Sequence, residues 1–181
     1  MKIAAITLTR NDDFRLVPWK MYFKDYKDEL YEHIVVDNGS TPEYQRKLRE
    51  AFPDSTHIEL GYNGGCTGAY NAGIRHALQN PEIDTVMLIG NDIKIERGGV
   101  TRLYQFLNSD PRFGMVAPVL LKKDSDTVEL FGTMINMETG KSRQLYHNSP
   151  LSDVKETSQV VSCVPGGLNM SKSMFYMQGG G

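Results

Sequence analysis

The chain has 181 residues, of which 40% are hydrophobic and 23% charged, and its formal net charge is −2. This length predicts one domain with a real core, and the balanced charge argues against a disordered chain and against a nucleic-acid-binding protein. Its two cysteines, Cys66 and Cys163, are too few for a disulfide framework, so we expect free thiols in a reducing compartment. No apolar stretch approaches the roughly 20 residues that span a bilayer. We therefore expect a cytoplasmic protein without a transmembrane segment, acting in solution or at the inner face of the membrane.

The first two thirds of the chain alternate short apolar runs with segments of helical periodicity. Apolar runs bounded by turn residues predict buried strands, and apolar residues spaced three and four apart predict helices. We predict strands at 3–8, 34–36, 57–60, 86–89 and 115–121, and helices at 14–30, 42–52, 69–78 and 100–107. This alternation predicts an α/β fold with a mostly parallel sheet and helices on both faces.

The pattern changes after about residue 121. Residues 128–137 and 142–147 flank the segment 138–141, Glu-Thr-Gly-Lys, which predicts a hairpin turn. We also predict a strand at 159–164, a turn at 165–167 and a helix that begins near Ser171. Neither an internal repeat nor a domain linker is found, so we predict one domain over residues 1–181 with a mixed, hairpin-containing C-terminal part.

Three of the predicted strands end in polar tips rich in Asn and Asp. These tips are Thr-Arg-Asn-Asp at 9–12, Asp-Asn-Gly-Ser-Thr at 37–41, and Gly-Asn-Asp at 90–92. Neighbouring parallel strands place their carboxyl ends at one edge of the sheet, which is where open α/β sheets bind ligands. We therefore expect a binding site at this edge.

Asp37 is the first candidate binding residue. A carboxylate at the end of a buried strand can accept hydrogen bonds from a ribose hydroxyl or a base N–H. Asn38 and Gly39 follow it and allow a tight turn into the next helix. The same residues also fit a helix cap or an Asx turn, and the sequence alone leaves both interpretations open.

The glycine-rich segment 61–68 is the second candidate, because it precedes a predicted helix. Gly64 and Gly65 would let the backbone approach a phosphate, and a helix N-terminus favours anions. The segment is neither a P-loop nor a dinucleotide fingerprint, and a flexible connection is the alternative. Asn71, inside the helix, indicates either a ligand contact or a local hydrogen bond.

Asn91 and Asp92 close the fourth predicted strand and form the third candidate. Carboxylate and amide oxygens suit a hard divalent cation that bridges phosphates, while a solvated turn is the alternative. The chain's four histidines are scattered without an i,i+4 pair and form no zinc site with the cysteines. We expect His33, His57 and His76 at the surface.

Together these segments resemble a family 2 glycosyltransferase with the GT-A fold, and the rhamnosyltransferase-like subgroup in particular. The resemblance covers nearly the whole chain and follows the family's order and approximate spacing. It rests on 6–11 (Ile-Thr-Leu-Thr-Arg-Asn), 35–41 (Val-Val-Asp-Asn-Gly-Ser-Thr), 63–65 with 68–74, and 88–92 (Leu-Ile-Gly-Asn-Asp). It implies a nucleotide-sugar-binding half at 1–121 and a partial acceptor-side half at 122–181.

The resemblance also implies a reaction, an inverting transfer of a sugar from a nucleoside diphosphate donor to an acceptor hydroxyl. The acceptor would be a glycan or its lipid-linked precursor, in surface polysaccharide synthesis. The implied donor-binding residues are Thr9, Asn11, Asp37, Asn38, Gly39, Asn63, Gly64, Gly65, Asn71 and Asn91. Asn91 replaces an acid present in many members, so Asp92 would provide the contact to a divalent metal, Mn²⁺ or Mg²⁺.

The acceptor-side half departs from the family pattern. In the family a Gly-Gly-Phe-Asp-Glu-like segment follows the acceptor-side turn, and a carboxylate pair further on supplies the general base. No acid here matches that position. We therefore expect a chain shortened at its C-terminal end. The general base would be absent from this chain, and the catalytic residue is therefore unknown. A general base typically contributes about 10²–10⁴-fold, so a nucleotide-sugar-binding module without transfer is the first alternative. A sugar nucleotidyltransferase is the second, although residues 9–12 lack the glycine-rich loop it would need.

Overall fold

The computed structural model describes residues 1–179 and consists of a six-stranded sheet, two small two-stranded sheets and five α-helices. The strands are β1 (Ile3–Thr9), β2 (Glu32–Asp37), β3 (Thr56–Glu59), β4 (Thr85–Ile89), β5 (Met115–Val116), β6 (Leu120–Leu121), β7 (Val128–Leu130), β8 (Thr133–Ile135), β9 (Ser142–Gln144) and β10 (Leu168–Lys172). The helices are α1 (Asp13–Tyr26), α2 (Pro42–Ala51), α3 (Gly65–Ala77), α4 (Gly99–Asn108) and α5 (Ser173–Gly179), with short 3₁₀ helices at Lys27–Glu29 and Leu151–Asp153.

The main sheet has the order β3-β2-β1-β4-β10-β5. Strands β1 to β4 are parallel, and β10 is antiparallel to both of its neighbours. Thr9 pairs with Asp37 in the register of β1 and β2, and Ile6 pairs with Leu88 in that of β1 and β4. The mostly parallel sheet is confirmed, and the carboxyl ends of β1, β2 and β4 meet at one edge.

Both faces of the sheet are covered by helices, which explains why its central strands are apolar on both sides. Alternate residues of β1 go to different cores: Ile3 packs with α4 on one face, and Ile6 packs with α3 on the other. A third cluster on the face of α1 contains Trp19 together with Tyr44 of α2. The predicted arrangement of helices on both faces is therefore confirmed.

Side chains cap the starts of two helices at the polar tips. Asp12 caps α1 by accepting a hydrogen bond from the Arg15 N–H at 3.3 Å. Thr41 caps α2 by accepting one from the Tyr44 N–H at 3.4 Å, and Pro42 occupies the first helical position. These caps lie in the polar tips that follow β1 and β2, and they fix the point at which the chain turns from each strand into the next helix.

The strand predicted at 159–164 is wrong. That segment contributes only an isolated bridge, between Cys163 and Thr133, and the strand that enters the main sheet is β10. Leu168 belongs to the apolar core, whereas Asn169 and Ser171 are buried polar residues of the same strand. These buried polar residues interrupt the continuous apolar run that would have marked β10 as a buried strand.

Two further elements differ in extent from their predictions. Helix α3 begins at Gly65 rather than at 69, so half of the predicted loop is helical. The strand predicted at 115–121 is divided into β5 and β6 around Pro118, which lacks the N–H that a ladder needs. The predicted hairpin is confirmed, because β8 pairs with β9 across the turn at 138–141.

His33 lies in the core, and its predicted surface position is wrong. Its ring is 2.7 Å from Ser55 Oγ through Nδ1 and 3.3 Å from Thr7 Oγ1 through Nε2, and it stacks on Phe23. Burial lowers its pKa to about 3, and the nearby His57 adds to that effect. The ring is therefore a neutral core side chain.

The two cysteines, Cys66 and Cys163, are free and exposed.

Candidate functional site

The tips of β1 and β2 are joined by hydrogen bonds at the shared edge. The Asn38 N–H donates to the Thr9 carbonyl at 2.9 Å, and the Asn11 N–H donates to Ser40 Oγ at 2.9 Å. The Thr41 N–H in turn donates to Asn11 Oδ1 at 2.8 Å. Asn11 has a left-handed backbone, φ 48°, which asparagine tolerates better than most residues. Asn11 therefore holds the two tips in a fixed relation.

The Thr9 side chain is directed into the protein. Its hydroxyl lies 2.6 Å from the Tyr44 hydroxyl, and Thr9 is 2% exposed. Burial raises the pKa of Tyr44, which keeps that phenol neutral. The observed contact holds α2 against β1, and a direct contact of Thr9 with a nucleotide stays a prediction.

Asp37 combines deep burial with an incomplete set of hydrogen bonds. One carboxylate oxygen, Oδ2, accepts from the Ser40 N–H at 3.2 Å and from Gln45 Nε2 at 2.7 Å. The other oxygen, Oδ1, is buried and receives no donor from the protein, while the residue is 2% exposed. A buried acceptor without a partner is unfavourable by about 1–3 kcal/mol. A ligand N–H or O–H that reached Oδ1 would remove that cost.

Asn38 fastens the end of β2 to the glycine-rich loop. Its Nδ2 donates to Asn63 Oδ1 at 3.2 Å and to the Gly65 carbonyl at 3.3 Å. Its Oδ1 accepts from the Gly64 N–H at 2.8 Å. Asn63 Oδ1 also accepts from the Gly65 N–H at 3.1 Å. The structure thus brings together four of the predicted donor-binding residues, Asn38, Asn63, Gly64 and Gly65. The side chains of the two asparagines hold the loop in place through hydrogen bonds.

The loop approaches β2 so closely that position 39 requires glycine. Gly39 has φ +79°, and a Cβ placed there would lie 2.5 Å from the backbone carbon of Tyr62. Gly64 then precedes α3 and provides no side-chain cap. The N–H of Gly65, the first residue of α3, is already bound by Asn63 Oδ1, so the N–H groups that an anion could reach are those that follow it in the first turn.

Asn71 and Gly73 lie further along α3. Gly73 faces the sheet, where an added Cβ would lie 2.5 Å from Ile6 Cγ2, so this glycine serves close helix–sheet packing. Asn71 is partly buried, and its side chain forms no hydrogen bond with another residue in the described part of the chain. Its contact with a donor stays a prediction.

The third tip is connected to the first through Asp12 and Arg15. Asn91 Nδ2 donates to Asp12 Oδ2 at 3.0 Å, and Arg15 Nη1 donates to the same oxygen at 2.9 Å. Burial acts to raise the pKa of Asp12, but these hydrogen bonds outweigh it, and its pKa is lowered. Arg15 Nε also lies 3.8 Å from Asp92 Oδ2. A charged network therefore links α1 to the end of β4.

Asp92 is the exposed acid of this network, with 56% of its side chain accessible. Within residues 1–179, no three His, Cys, Asp or Glu side chains converge as metal ligands. Mg²⁺ sites in phosphate-binding enzymes usually take one or two carboxylates and complete the coordination with substrate phosphates and water. Asp92 fits that kind of site, in which the diphosphate itself supplies ligands.

A groove of about 1600 Å³ opens beside Asp92. Its walls come from the start of α1, from α4, and from residues 112–125 with parts of 156–165. Phe14, Phe106 and Phe113 give it apolar surface, and Arg15 and Asn91 lie at the end near the strand tips. The groove therefore joins the candidate donor edge to the last third of the chain.

Three site residues were missed by the sequence analysis, namely Asp12, Arg15 and Gln45. Asp12 is the last residue of the first polar tip, and Arg15 follows it at the i,i+3 spacing of a helix start. Gln45 lies one turn into α2 and reaches back to Asp37. The sequence spacing of Asp12 and Arg15 could have indicated this pair. The contact of Gln45 with Asp37 could not be predicted in this way, because it depends on the angle between α2 and β2.

Comparisons with known proteins assign the chain to a family. The family model for glycosyl transferase family 2 matches residues 22–175. The low-salt glycan biosynthesis hexosyltransferase Agl10 of Haloferax volcanii is 27% identical over 93 residues, which cover 51% of this chain and 29% of that protein.

Two solved structures are similar in fold. The mannosyltransferase PcManGT of Pyrobaculum calidifontis, solved in complex with GDP-Man and Mn²⁺, superposes with a TM-score of 0.54 at 28% identity, covering 68% of this chain and 36% of that one. The 4-diphosphocytidyl-2C-methyl-D-erythritolsynthase of Anaerococcus prevotii gives a TM-score of 0.55 at 11% identity over 96% of this chain and 72% of that one. The second likeness concerns the fold alone, because similar folds host different chemistries.

The sheet with its helices is the GT-A fold of glycosyltransferases. The chain belongs to glycosyl transferase family 2. It spans 29% of the length of the hexosyltransferase and 36% of that of the mannosyltransferase. None of the helices described between residues 1 and 179 is both long and apolar enough to cross a membrane.

Proposed function

We propose that this protein transfers a sugar, with inversion, from a nucleoside diphosphate donor to an acceptor hydroxyl in the synthesis of a surface polysaccharide. The observation that carries the proposal is the unpartnered oxygen of Asp37 at the edge of the sheet. A base N–H or a ribose hydroxyl would donate to it. The neighbouring hydrogen bond from Asn38 to Asn63 would hold the glycine-rich loop against the nucleotide.

The diphosphate of the donor would lie between the start of α3 and the third tip. The N–H groups that follow Gly65 in the first turn of α3 would favour a phosphate. Asn91 and Asp92, which follow β4, line the groove that opens beside them. Asp92 would hold a divalent cation, Mn²⁺ or Mg²⁺, and a bound cation would neutralise the charge of the leaving diphosphate. The mannosyltransferase PcManGT, solved with GDP-Man and Mn²⁺, supports this part of the proposal by analogy.

The acceptor, a glycan or its lipid-linked precursor, would enter through the groove beside Asp92. The groove is large enough for more than a monosaccharide, and its aromatic walls suit the apolar faces of sugar rings. We assign the general base to none of the described residues. A cytoplasmic location, in solution or at the inner face of the membrane, fits such an acceptor.

Calorimetric titration of UDP and GDP, in EDTA and then with Mg²⁺ or Mn²⁺, tests the donor site. We expect cation-dependent binding, and we expect Asp92→Asn to lose the cation-dependent part. Asp28→Asn is the matched control, because Asp28 is an exposed acid in the 3₁₀ helix at Lys27–Glu29. Absence of nucleotide binding with either cation would contradict the proposal.

Donor turnover then separates the transferase from a binding module. Release of nucleoside diphosphate from a panel of nucleotide sugars, with and without glycan acceptors, is the measurement. Turnover that rises with an acceptor supports transfer. Binding without turnover under all conditions would instead favour a nucleotide-sugar-binding module.

A further inference from the structure

Arg15 makes two ion pairs with acids that belong to different elements. Its Nη1 lies 2.9 Å from Asp12 Oδ2, and its Nε lies 3.8 Å from Asp92 Oδ2. Asp12 caps α1, whereas Asp92 follows β4, so one guanidinium connects a helix start to a strand tip. Hydrogen bonding to Asp12 is the main reason that the pKa of Arg15 is raised, and Asp92 adds to it. Arg15 is thus a permanent positive charge beside the proposed diphosphate.

The two contacts of Arg15 differ in strength. The contact with Asp12 has hydrogen-bond length, and Asp12 is held a second time by Asn91. The contact with Asp92 is longer, and both side chains are about half exposed, 47% for Arg15 and 56% for Asp92. Exposed pairs of this kind are worth about 0–1 kcal/mol. Arg15 can therefore stay anchored to Asp12 while it leaves Asp92.

We propose that Arg15 is a phosphate-binding residue that exchanges Asp92 for the diphosphate of the donor. This inference rests on the proposed function, since it takes the donor to be a nucleoside diphosphate. A guanidinium binds phosphate oxygens through two parallel N–H groups, which an exposed carboxylate 3.8 Å away does not match. Asp92 would then be free to bind the cation.

The exchange couples the cation to the diphosphate. Without a nucleotide, Arg15 would compete with a divalent cation for Asp92, and its positive charge would repel the cation. A diphosphate reverses that effect, because its negative charge attracts both the cation and the guanidinium. Arg15 therefore opposes the cation alone and favours the cation together with the nucleotide.

The experiment measures Mn²⁺ affinity from the free-ion electron paramagnetic resonance signal, and UDP or GDP affinity in saturating Mn²⁺ by calorimetry. We expect Arg15→Gln to bind Mn²⁺ alone about two- to fivefold more tightly, because a competing exposed pair is lost. We expect the same variant to bind the nucleotide about tenfold more weakly, because charged hydrogen bonds to phosphate are lost. Arg15→Lys should lie between the wild type and Arg15→Gln in both measurements.

Arg97→Gln is the matched control. Arg97 also pairs with an acid of α1, Asp25 at 3.3 Å, and its loss removes the same charge away from the strand tips. Opposite changes in the two affinities, found in Arg15→Gln and absent from Arg97→Gln, support the inference. Unchanged affinities, or changes in the same direction, would overturn it while leaving the donor site intact. A wild type that binds neither nucleotide would overturn the proposed function and this inference with it.

Discussion

The side-chain amide of Asn38 donates to Asn63 Oδ1 at 3.2 Å, and this contact joins the end of β2 to the glycine-rich loop. The same side chain also bonds the Gly64 N–H and the Gly65 carbonyl. One residue, 5% exposed, therefore holds the loop against the end of β2.

Asn38→Ala should destabilise the protein by about 1–3 kcal/mol, because the three hydrogen bonds made by this buried side chain are lost. It should also weaken nucleotide binding, since the loop is no longer fixed. Urea unfolding and calorimetric titration measure the two effects. Asn108→Ala is the control, because the exposed Asn108 bonds only the Tyr104 carbonyl, and its effect should be within about 0.5 kcal/mol. Equal changes in stability and in nucleotide affinity in the two variants would show that the hydrogen bonds of Asn38 to the loop are unimportant.

Gly39→Ala should be more harmful than Gly140→Ala, although both glycines have a positive φ, +79° and +68°. Alanine is strained in this conformation by about 1–2 kcal/mol. At position 140 the Cβ would meet open space, whereas at position 39 it would lie 2.5 Å from the Tyr62 backbone. The difference between the two free energies of unfolding isolates the clash with the loop, and similar values would refute the close approach.

Gly73→Ala and Gly68→Ala should change stability in opposite directions, although both positions lie in α3. The Cβ at position 73 would lie 2.5 Å from Ile6 Cγ2, and such overpacking destabilises by about 1–3 kcal/mol. The Cβ at position 68 meets nothing within 4 Å, so the helix propensity of alanine should stabilise by about 0.5–1 kcal/mol. Thermal unfolding of both variants checks the signs.

Stability should fall on acidification because of His33. Its pKa in the folded protein is about 3, below the ordinary value of 6.5, so between these pH values the unfolded chain binds a proton that the folded protein does not. The loss should approach about 1.4 kcal/mol per pH unit below pH 6.5 and stop near pH 3. Urea unfolding from pH 7 to pH 4 of wild type, His33→Gln and His147→Gln tests this. A wild-type slope retained in His33→Gln would contradict the assignment.

The edge of the sheet could be predicted because its signals are local. Runs such as 34–36 followed directly by Asp37 mark a strand and its end, and Thr41-Pro42 marks the next helix start. Strand β10 could not be predicted in the same way. Its buried Asn169 and Ser171 disguise a central strand, and only the antiparallel pairing with Met87 and its neighbours reveals it.

Side-chain roles at the site were harder to predict than the positions of the tips. Thr9 was expected to face the nucleotide, but its hydroxyl meets Tyr44, a residue 35 positions away. Asn38 was expected to contact the donor, and its observed partners are in the loop. His33 was predicted at the surface. Its burial could not be predicted from its neighbours in the sequence, because it depends on Phe23 and Ser55, which lie in other parts of the chain. Long-range contacts of this kind leave no trace in residue spacing.

The most direct test of the account is the effect of Asp37→Asn on nucleotide affinity and on stability, measured in the same preparation. We predict that UDP or GDP binds about tenfold more weakly or worse, because the buried Oδ1 loses its role as a charged acceptor. The free energy of unfolding should change by less than about 1 kcal/mol, since Oδ1 has no partner in the protein. Asp54→Asn, in the exposed turn after α2, should change neither quantity. Equal losses of stability and of binding in Asp37→Asn would make Asp37 a structural cap and would contradict the account.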